Sequence, residues 1–304
     1  MYFPRVLATI LCLSTVTVAV GQDGPAIEIL EREGAIVQRV DSLPDGPVSV
    51  VTYNLRQVTD EGNRALKELF ELPAIEFLGT GDTELQPATL RALQGKRSLK
   101  RLSISFAKIS DDSAKLLGTL RSLEVLELRA QVEIHPKVLG EVFNLTSLKE
   151  LTLSDRLADD PAMEELRRMP YLKTLTVRSV FVSDAGLASL RQVKSLRNLR
   201  ILLGPKVTEE GVRHLSELDL ADLDITYLNV TDKELKSLRK FKGLKGLRLV
   251  SAAKVTDEAV PFLSELSELK RLDIADAKLS KAGIGQLERA LPNCKIAYDS
   301  IPRN

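Results

Sequence analysis

The residues of this chain that could do chemistry are charged, numerous and evenly spaced. Arg200, Asp224, Arg248 and Asp273 recur every 24 or 25 residues with alternating sign. Arg101, Glu127, Arg129 and Glu150 form a second mixed group in the middle repeats, and Arg178, Asp222, Tyr227 and Arg271 fall beside these rows. If each repeat contributes one strand, neighbours in a row lie about 4.8 Å apart, close enough for opposite charges to pair. The chemistry on offer is ion pairing and hydrogen bonding. Two readings stand side by side. The row is either a self-neutralising ladder, with cross-strand pairs contributing about 0.2–1 kcal/mol each, or a polar strip on which a partner of complementary charge docks.

No catalytic set accompanies these rows. His135 and His214 lie in different repeats, and neither has a Ser or Cys nucleophile and a carboxylate in a recognisable arrangement. The two cysteines are Cys12 and Cys294. Loss of the leader described below would leave Cys294 alone, which excludes an internal disulfide and a His/Cys metal site. Gly79-Thr80-Gly81-Asp82-Thr83 is not followed by Gly-Lys-Ser/Thr and is no phosphate loop. It reads as a flexible rim loop, either a contact site or a tolerated insertion. Asn144-Leu145-Thr146 and Asn229-Val230-Thr231 match the glycosylation acceptor pattern. The expectation is a protein without enzymatic activity, cofactor or metal.

Residues 1–21 read as a signal peptide. Arg5 supplies the positive start, Val6 to Val20 is apolar apart from Ser and Thr, and Ala19-Val20-Gly21 offers small residues before a cut ahead of Gln22. The alternative is a retained anchor, although about 15 apolar residues are few for a span. Leu11 before Cys12 is unsuited to lipoprotein processing. An exported protein, periplasmic or extracellular, is expected, with no integral membrane segment after cleavage. The formal net charge is +1, and removing Arg5 leaves 42 basic against 42 acidic residues. Such a balance gives no general attraction to nucleic acid or to an anionic membrane. Trp is absent and aromatics make up 4% of the chain, so interface anchors are scarce and sugar stacking is disfavoured. A monomer with a protein partner held by a polar, moderate-affinity interface is expected.

The elements that must position these side chains come from a repeat. Ser98-Leu99-Lys100-Arg101-Leu102-Ser103-Ile104 returns as Ser122-Leu123-Glu124-Val125-Leu126-Glu127-Leu128 and again from Ser147. The first apolar residue of each unit runs Val48, Leu72, Leu99, Leu123, Leu148, Leu172, Leu196, Leu220, Leu244 and Leu269, giving ten copies. Apolar residues at positions 4 and 6 have the two-residue period of a strand with one buried face. Positions 3, 5 and 7 then point away from the core and carry the charged rows.

The second half of each unit opens with an apolar residue, Ser or Thr, and an acid, as in Val182-Ser183-Asp184 and Val255-Thr256-Asp257. Ser or Thr predicts a helix N-cap and the acid suits the helix dipole. Thr231 with Glu234 predicts a capping box. A helix of about 10 residues is expected. Small residues in its first turn, among them Gly62, Gly186, Gly211 and Gly283, are expected to let helices pack closely. His135-Pro136 and Leu157-Ala158-Asp159 break the helix-start pattern.

The pattern L-x-x-L-x-L followed by V-[ST]-D-x-[GA]-L-x-x-L resembles leucine-rich repeat proteins, closest to the short helical repeats of bacterial exported proteins and of F-box adaptors. The resemblance implies an α/β solenoid, a right-handed horseshoe with an inner parallel sheet, outer helices and about ten repeats plus caps. It implies protein recognition through the concave sheet face. The commonest repeat class has an Asn ladder after the strand; here Ala107, Gln131 and Arg156 stand there instead. The chain divides into signal peptide 1–21, N-terminal cap 22–46, repeats 47–290 and C-terminal cap strand and tail 291–304. In the cap, Ala26 to Glu33 predicts a helix ended by Gly34, Ile36 to Val40 a strand and Pro44 to Pro47 a turn. Ile296 and Tyr298 stand at positions 4 and 6 of an eleventh strand, making Cys294 a capping residue. Two alternatives accompany the recognition reading: a structural envelope protein without a ligand, and an intracellular F-box-type adaptor or effector. The adaptor needs a helical segment before the repeats, for which about 25 residues are too few.

Overall fold

Each repeat has one apolar stripe and can bury it only against its neighbours, so the units stack. A computed structural model describes residues 23–39, 48–69, 72–80, 83–129, 133–134, 136–227 and 231–299. The expected signal peptide 1–21, the expected turn 44–47, part of the 79–83 insertion, His135, Asn229-Val230 and the tail from 300 lie outside these residues. The strands are β1 (Ile36–Arg39), β2 (Val48–Asn54), β3 (Ala74–Leu78), β4 (Arg101–Ser105), β5 (Lys108–Ile109), β6 (Val125–Arg129), β7 (Glu133–Ile134) and β8 (Glu150–Ser154). They continue with β9 (Thr174–Arg178), β10 (Asn198–Leu203), β11 (Asp222–Tyr227), β12 (Gly246–Val250), β13 (Arg271–Ala275) and β14 (Lys295–Asp299). All except β5 and β7 form one 12-stranded sheet. β1 pairs antiparallel with β2, and every later neighbour is parallel.

The register follows the repeat residue for residue. Leu175, Leu199, Leu223, Leu247, Leu272 and Ile296 stand opposite one another across β9 to β14. Every residue at positions 1, 4 and 6 is buried, from Val51 and Tyr53 to Leu272 and Ile274. β14 closes the sheet as the eleventh repeat strand, and the Tyr298 hydroxyl donates to the Ala277 carbonyl at 2.7 Å. Half-buried Cys294 packs against the core, and burial pushes its thiol up, away from thiolate chemistry. At the other end α1 (Gly24–Arg32) buries Ala26, Ile27 and Leu30 and ends before Gly34, whose φ of 81° suits glycine.

Except for α11, which has the predicted 10 residues, the outer helices are shorter than predicted. α2 (Asp60–Glu68), α3 (Pro87–Leu93), α4 (Asp111–Leu117) and α5 (Pro136–Val142) are followed by α6 (Asp160–Glu165), α7 (Asp184–Ser189) and α8 (Glu209–Leu215). α9 (Asp232–Leu235), α10 (Val260–Ser264) and α11 (Lys281–Ala290) complete the set. α6, α7 and α9 run on into 3₁₀ turns at Leu166–Arg168, Leu190–Gln192 and Lys236–Lys240, the tighter geometry fitting the short unit. The expected caps form: Thr59, Ser110, Ser183, Thr208, Thr256 and Ser280 accept from amides of the first turn, and Thr231 with Glu234 makes the capping box. The broken helix starts still give helices. Asp159 caps α6 by accepting from the Ala162 amide at 3.0 Å, and α5 starts at Pro136, a residue suited to a first turn.

The acid after each cap has a longer reach than the helix dipole reading assigns it. The Asp184 carboxylate accepts the Thr208 amide at 2.8 Å and the Thr208 hydroxyl at 2.7 Å, and Thr208 in turn caps α8. Asp160 holds Ser183 in the same way, Asp232 holds Thr256, and Asp257 holds Ser280. In the cap, Glu33 takes the Thr59 and Tyr53 hydroxyls. Each carboxylate therefore fixes the helix start of the next repeat. This also corrects the role of the small residues. A Cβ on Gly186, Gly211 or Gly283 would lie within 3 Å of Asp160, Asp184 or Asp257 respectively, and one on Gly62 would strike Glu33. Those glycines make room for the preceding carboxylate rather than for helix contact.

The insertion is also tied down. The Leu85 amide donates to the Lys108 carbonyl at 2.9 Å and the Lys108 amide to Thr83 at 2.8 Å, while Gly79 lies against the Phe106 carbonyl, where a Cβ has no room.

Two outcomes follow. In an exposed helix Gly→Ala gains up to about 1 kcal/mol, but Gly211→Ala here is expected to lower unfolding free energy by about 1–3 kcal/mol. In an Asp184→Ala background the same change should turn neutral or stabilising; a Gly211→Ala chain that melts higher on its own would refute the ladder. The second outcome concerns acid. The Ser280 hydroxyl and amide hold the Asp257 carboxyl below its ordinary 3.8. Burial pushes Glu33 up, but hydrogen bonds from Thr59, Tyr53 and Gly62 outweigh it and hold the carboxyl below 4.5. Depressed carboxylates stabilise the fold above their ordinary values and lose that contribution as pH falls through the folded ones. Stability in urea titrations should be level above about pH 5 and fall below 4.5 and then 3.8, with Glu33→Gln removing the first part of the fall.

Candidate functional site

The alternation along each strand puts positions 3, 5 and 7 on the face away from the helices. Parallel pairing brings Asn198, Asp222, Gly246 and Arg271 into one row and Arg200, Asp224, Arg248 and Asp273 into the next. Arg200 Nε lies 2.9 Å from Asp224 Oδ2, and Arg248 reaches the same oxygen at 3.3 Å from the other side. The expected alternation stops there. Asp273 takes its cation from Arg271 on its own strand, at 3.6 Å, and not from Arg248. Arg271 also crosses β12 to reach Asp222 Oδ1 at 3.1 Å. That span of two strands needs Gly246 beneath it, because a Cβ there would meet both the Asp222 carboxylate and the Arg271 guanidinium. Position 246 thus reads as a gap in the sequence and acts as a passage in the structure.

In the middle repeats Glu127 gathers two cations, Arg101 at 3.3 Å and Arg129 at 2.5 Å. Glu150 does not join them. It stands on β8 opposite Val125 and Thr174, exposed. Arg178 is likewise exposed at the end of β9. Among the described residues neither has an ion-pair partner. Tyr227 ends β11 opposite Leu203.

Burial layers these charges. The carboxylates of Glu127 and Asp224 are 14% exposed, whereas Arg200, Arg248 and Arg271 are 60%, 52% and 56% exposed. One Asp224 oxygen, Oδ1, is buried with no hydrogen-bond partner. Above Glu127 and Asp224 the outer layer is therefore guanidinium, each group with donors to spare after its ion pair, while Asp222, 48% exposed, lies at the surface beside Arg271. At the first strands the face turns apolar: Leu78 is 37% and Phe106 44% exposed, and Phe106 holds a left-handed φ of 54° that bulky residues rarely adopt.

Among the described residues no group of three or more His, Cys, Asp or Glu side chains could hold a metal, and no helix is long and apolar enough to cross a membrane. His214 is a helix residue on α8, between Glu210 at 3.3 Å and Glu217 at 3.5 Å.

No protein-family model matches the sequence, and no curated protein matches it. Solved structures do share its fold. The chain is similar to one in the Rad7–Elc1 complex of yeast, with 18% identity, a TM-score of 0.53, and coverage of 70% of this chain and 59% of that one. It is also similar to one in a TLR13–ssRNA13 complex, with 16% identity, a TM-score of 0.54, and coverage of 85% of this chain and 36% of that one. In both cases it spans less than two thirds of the other chain. Both are leucine-rich-repeat solenoids, and this chain has that fold, with the parallel sheet inside and the helices outside.

Removing the shared anion tests the geometry of the face. Asp224→Ala should lower unfolding free energy by about 1 kcal/mol, because two guanidinium groups lose their partner. Adding Arg200→Ala should cost less than the sum of the single changes in a double-mutant cycle.

Proposed function

We propose that this chain is a non-catalytic, exported recognition scaffold that binds a protein partner through the inner sheet face, as a monomer. The observation that carries the reading is the layering of charge, with the Asp224 carboxylate sunk beneath the exposed Arg200 and Arg248. Each arginine is oriented by its ion pair, so little side-chain freedom is lost when a partner's carboxylate or carbonyl meets its free N–H groups. Arginine is also among the residues that dominate measured interfaces. The fold supports a macromolecular ligand: one of the similar structures is a complex of two proteins. The other holds a single-stranded RNA. The balanced charge and few aromatics of this chain argue against that ligand here. Export rests on the signal-like residues 1–21.

A second reading, a structural protein without a ligand, draws on Asp224 closing an ion-pair bridge between Arg200 and Arg248. Affinity capture with the native chain and with Arg200→Glu/Arg248→Glu separates the two. The recognition reading expects a protein held by the native chain and lost by a variant whose circular dichroism melt remains cooperative. Equal capture, or none, would favour the structural reading, and an intrinsic hydrolase or transferase activity abolished by one substitution would overturn both. N-terminal sequencing of protein recovered from the source cells tests export, with Gln22 as the expected first residue.

A further inference from the structure

The residue following the first leucine of each repeat forms a row of its own, along the edge where the strands enter the sheet. It reads Lys100, Glu124, Lys149, Lys173 and Arg197 on five successive repeats, then Ala221, then Lys245 and Lys270. Backbone bonds lock the row: the Lys173 amide donates to Lys149 at 2.8 Å, Arg197 to Lys173 at 2.9 Å and Lys270 to Lys245 at 2.8 Å. Neighbouring cations thus sit one strand spacing apart, about 4.8 Å at the backbone, and cannot slip apart. Like charges opposite one another work against a sheet.

Part of this repulsion is offset. Lys149 pairs with Glu124 at 2.5 Å and Arg197 with Asp219 at 3.3 Å. Lys173, Lys245 and Lys270 are exposed and have no ion-pair partner among the described residues. Beside the first run opens a cavity of about 380 Å³, lined in part by Lys149, Lys173 and Tyr171. Tyr171 is 63% exposed, the most exposed large apolar side chain of the described residues. An exposed ring with a polar tip beside free cations is the composition of a docking surface.

We propose that this edge binds an acidic polypeptide segment and is a second surface, separate from the sheet face. The row is a single cation wide and linear. Acidic side chains on one face of a helix recur about once per 5.4 Å turn, near the strand spacing and within the reach of lysine stems. A nucleic acid strand would need several rings on which to stack its bases, and Tyr171 is alone. A uniformly anionic membrane would press on the exposed Asp219 and Glu268 of the same edge, which a narrow segment can pass beside.

Fluorescence anisotropy with a labelled glutamate-alanine helical peptide tests this on the full chain. Oligothymidylate and phosphatidylserine-phosphatidylcholine vesicles serve as competing probes. The peptide is expected to bind, to weaken as salt rises, and to bind about tenfold less tightly or worse to Lys173→Gln/Lys245→Gln/Lys270→Gln. That variant should melt no lower than the native chain, since the repulsion is relieved. Arg200→Glu/Arg248→Glu should leave peptide affinity unchanged, so failure here and failure of the sheet-face reading are read separately. The proposal is overturned if the native chain does not bind the peptide, if the lysine variant binds it equally or unfolds more easily, if the sheet-face variant loses it, or if either competing probe binds more tightly.

Discussion

The carboxylate that reaches from one repeat into the helix start of the next is the contact on which the rest of the solenoid depends. Apolar burial drives the repeats together but has no direction, and a stack of leucines alone tolerates sliding. Asp184 accepting both the amide and the hydroxyl of Thr208 does not. It fixes where α8 begins relative to α7, and through the loops it fixes the register of β10 against β9. The two ends of a unit are linked differently. Beyond the helices, Lys96 donates to the Lys67 and Leu69 carbonyls of the preceding repeat, and Ser195 to Leu172. Polar bonds therefore clamp each repeat to its neighbour outside the dry core, where a misfit would leave donors unpaired.

Strict register gives the surface its meaning. Because Leu199, Leu223 and Leu247 cannot shift, the side chains beside them form straight rows, and a sequence period becomes a line of charge. The same constraint produces opposite results on two surfaces. Across the sheet face, position 5 alternates in sign and Asp224 draws Arg200 and Arg248 together. Along the strand-entry edge, position 2 repeats one sign from Lys149 to Arg197, and Lys245 and Lys270 are held side by side. A net charge of +1 for the whole chain conceals both patterns, since it sums over surfaces that a partner meets one at a time.

The parts of the molecule written in a single repeat were legible in the sequence. Strand positions, caps, the closing strand at Ile296 and the capping box at Thr231 all depend on residues a few positions apart, and the period made them redundant. What escaped depends on pairs a full repeat apart. The acid after the cap and the glycine of the next first turn make one contact, and the signal was their joint occurrence: Asp160 with Gly186, Asp184 with Gly211, Asp257 with Gly283. The swap at the next unit was also visible. Glu209 replaces the Asp there, the following position is Glu234 instead of Gly, and Thr231 takes its carboxylate from its own helix. Arg271 crossing Gly246 to Asp222 was beyond nearest-neighbour reasoning, because it spans two strands and depends on a missing side chain.

Glu209 and Glu234 show how this fold divides its work between stability and binding. A ladder made of identical contacts can lose one rung if the helix supplies the carboxylate itself, so the helix-start side tolerates sequence change while keeping its bonds. The sheet face and the strand-entry edge carry no such obligation, because the backbone ladder already satisfies the strands. Side chains there are free to vary for a ligand. Both surfaces hold groups without a partner among the described residues: Asp224 Oδ1, Glu150 and Arg178 on the sheet face, and Lys173, Lys245 and Lys270 on the edge. A solenoid that closes its polar accounts along the helix starts and leaves them open on the sheet face and the strand-entry edge is arranged to be met from those two directions.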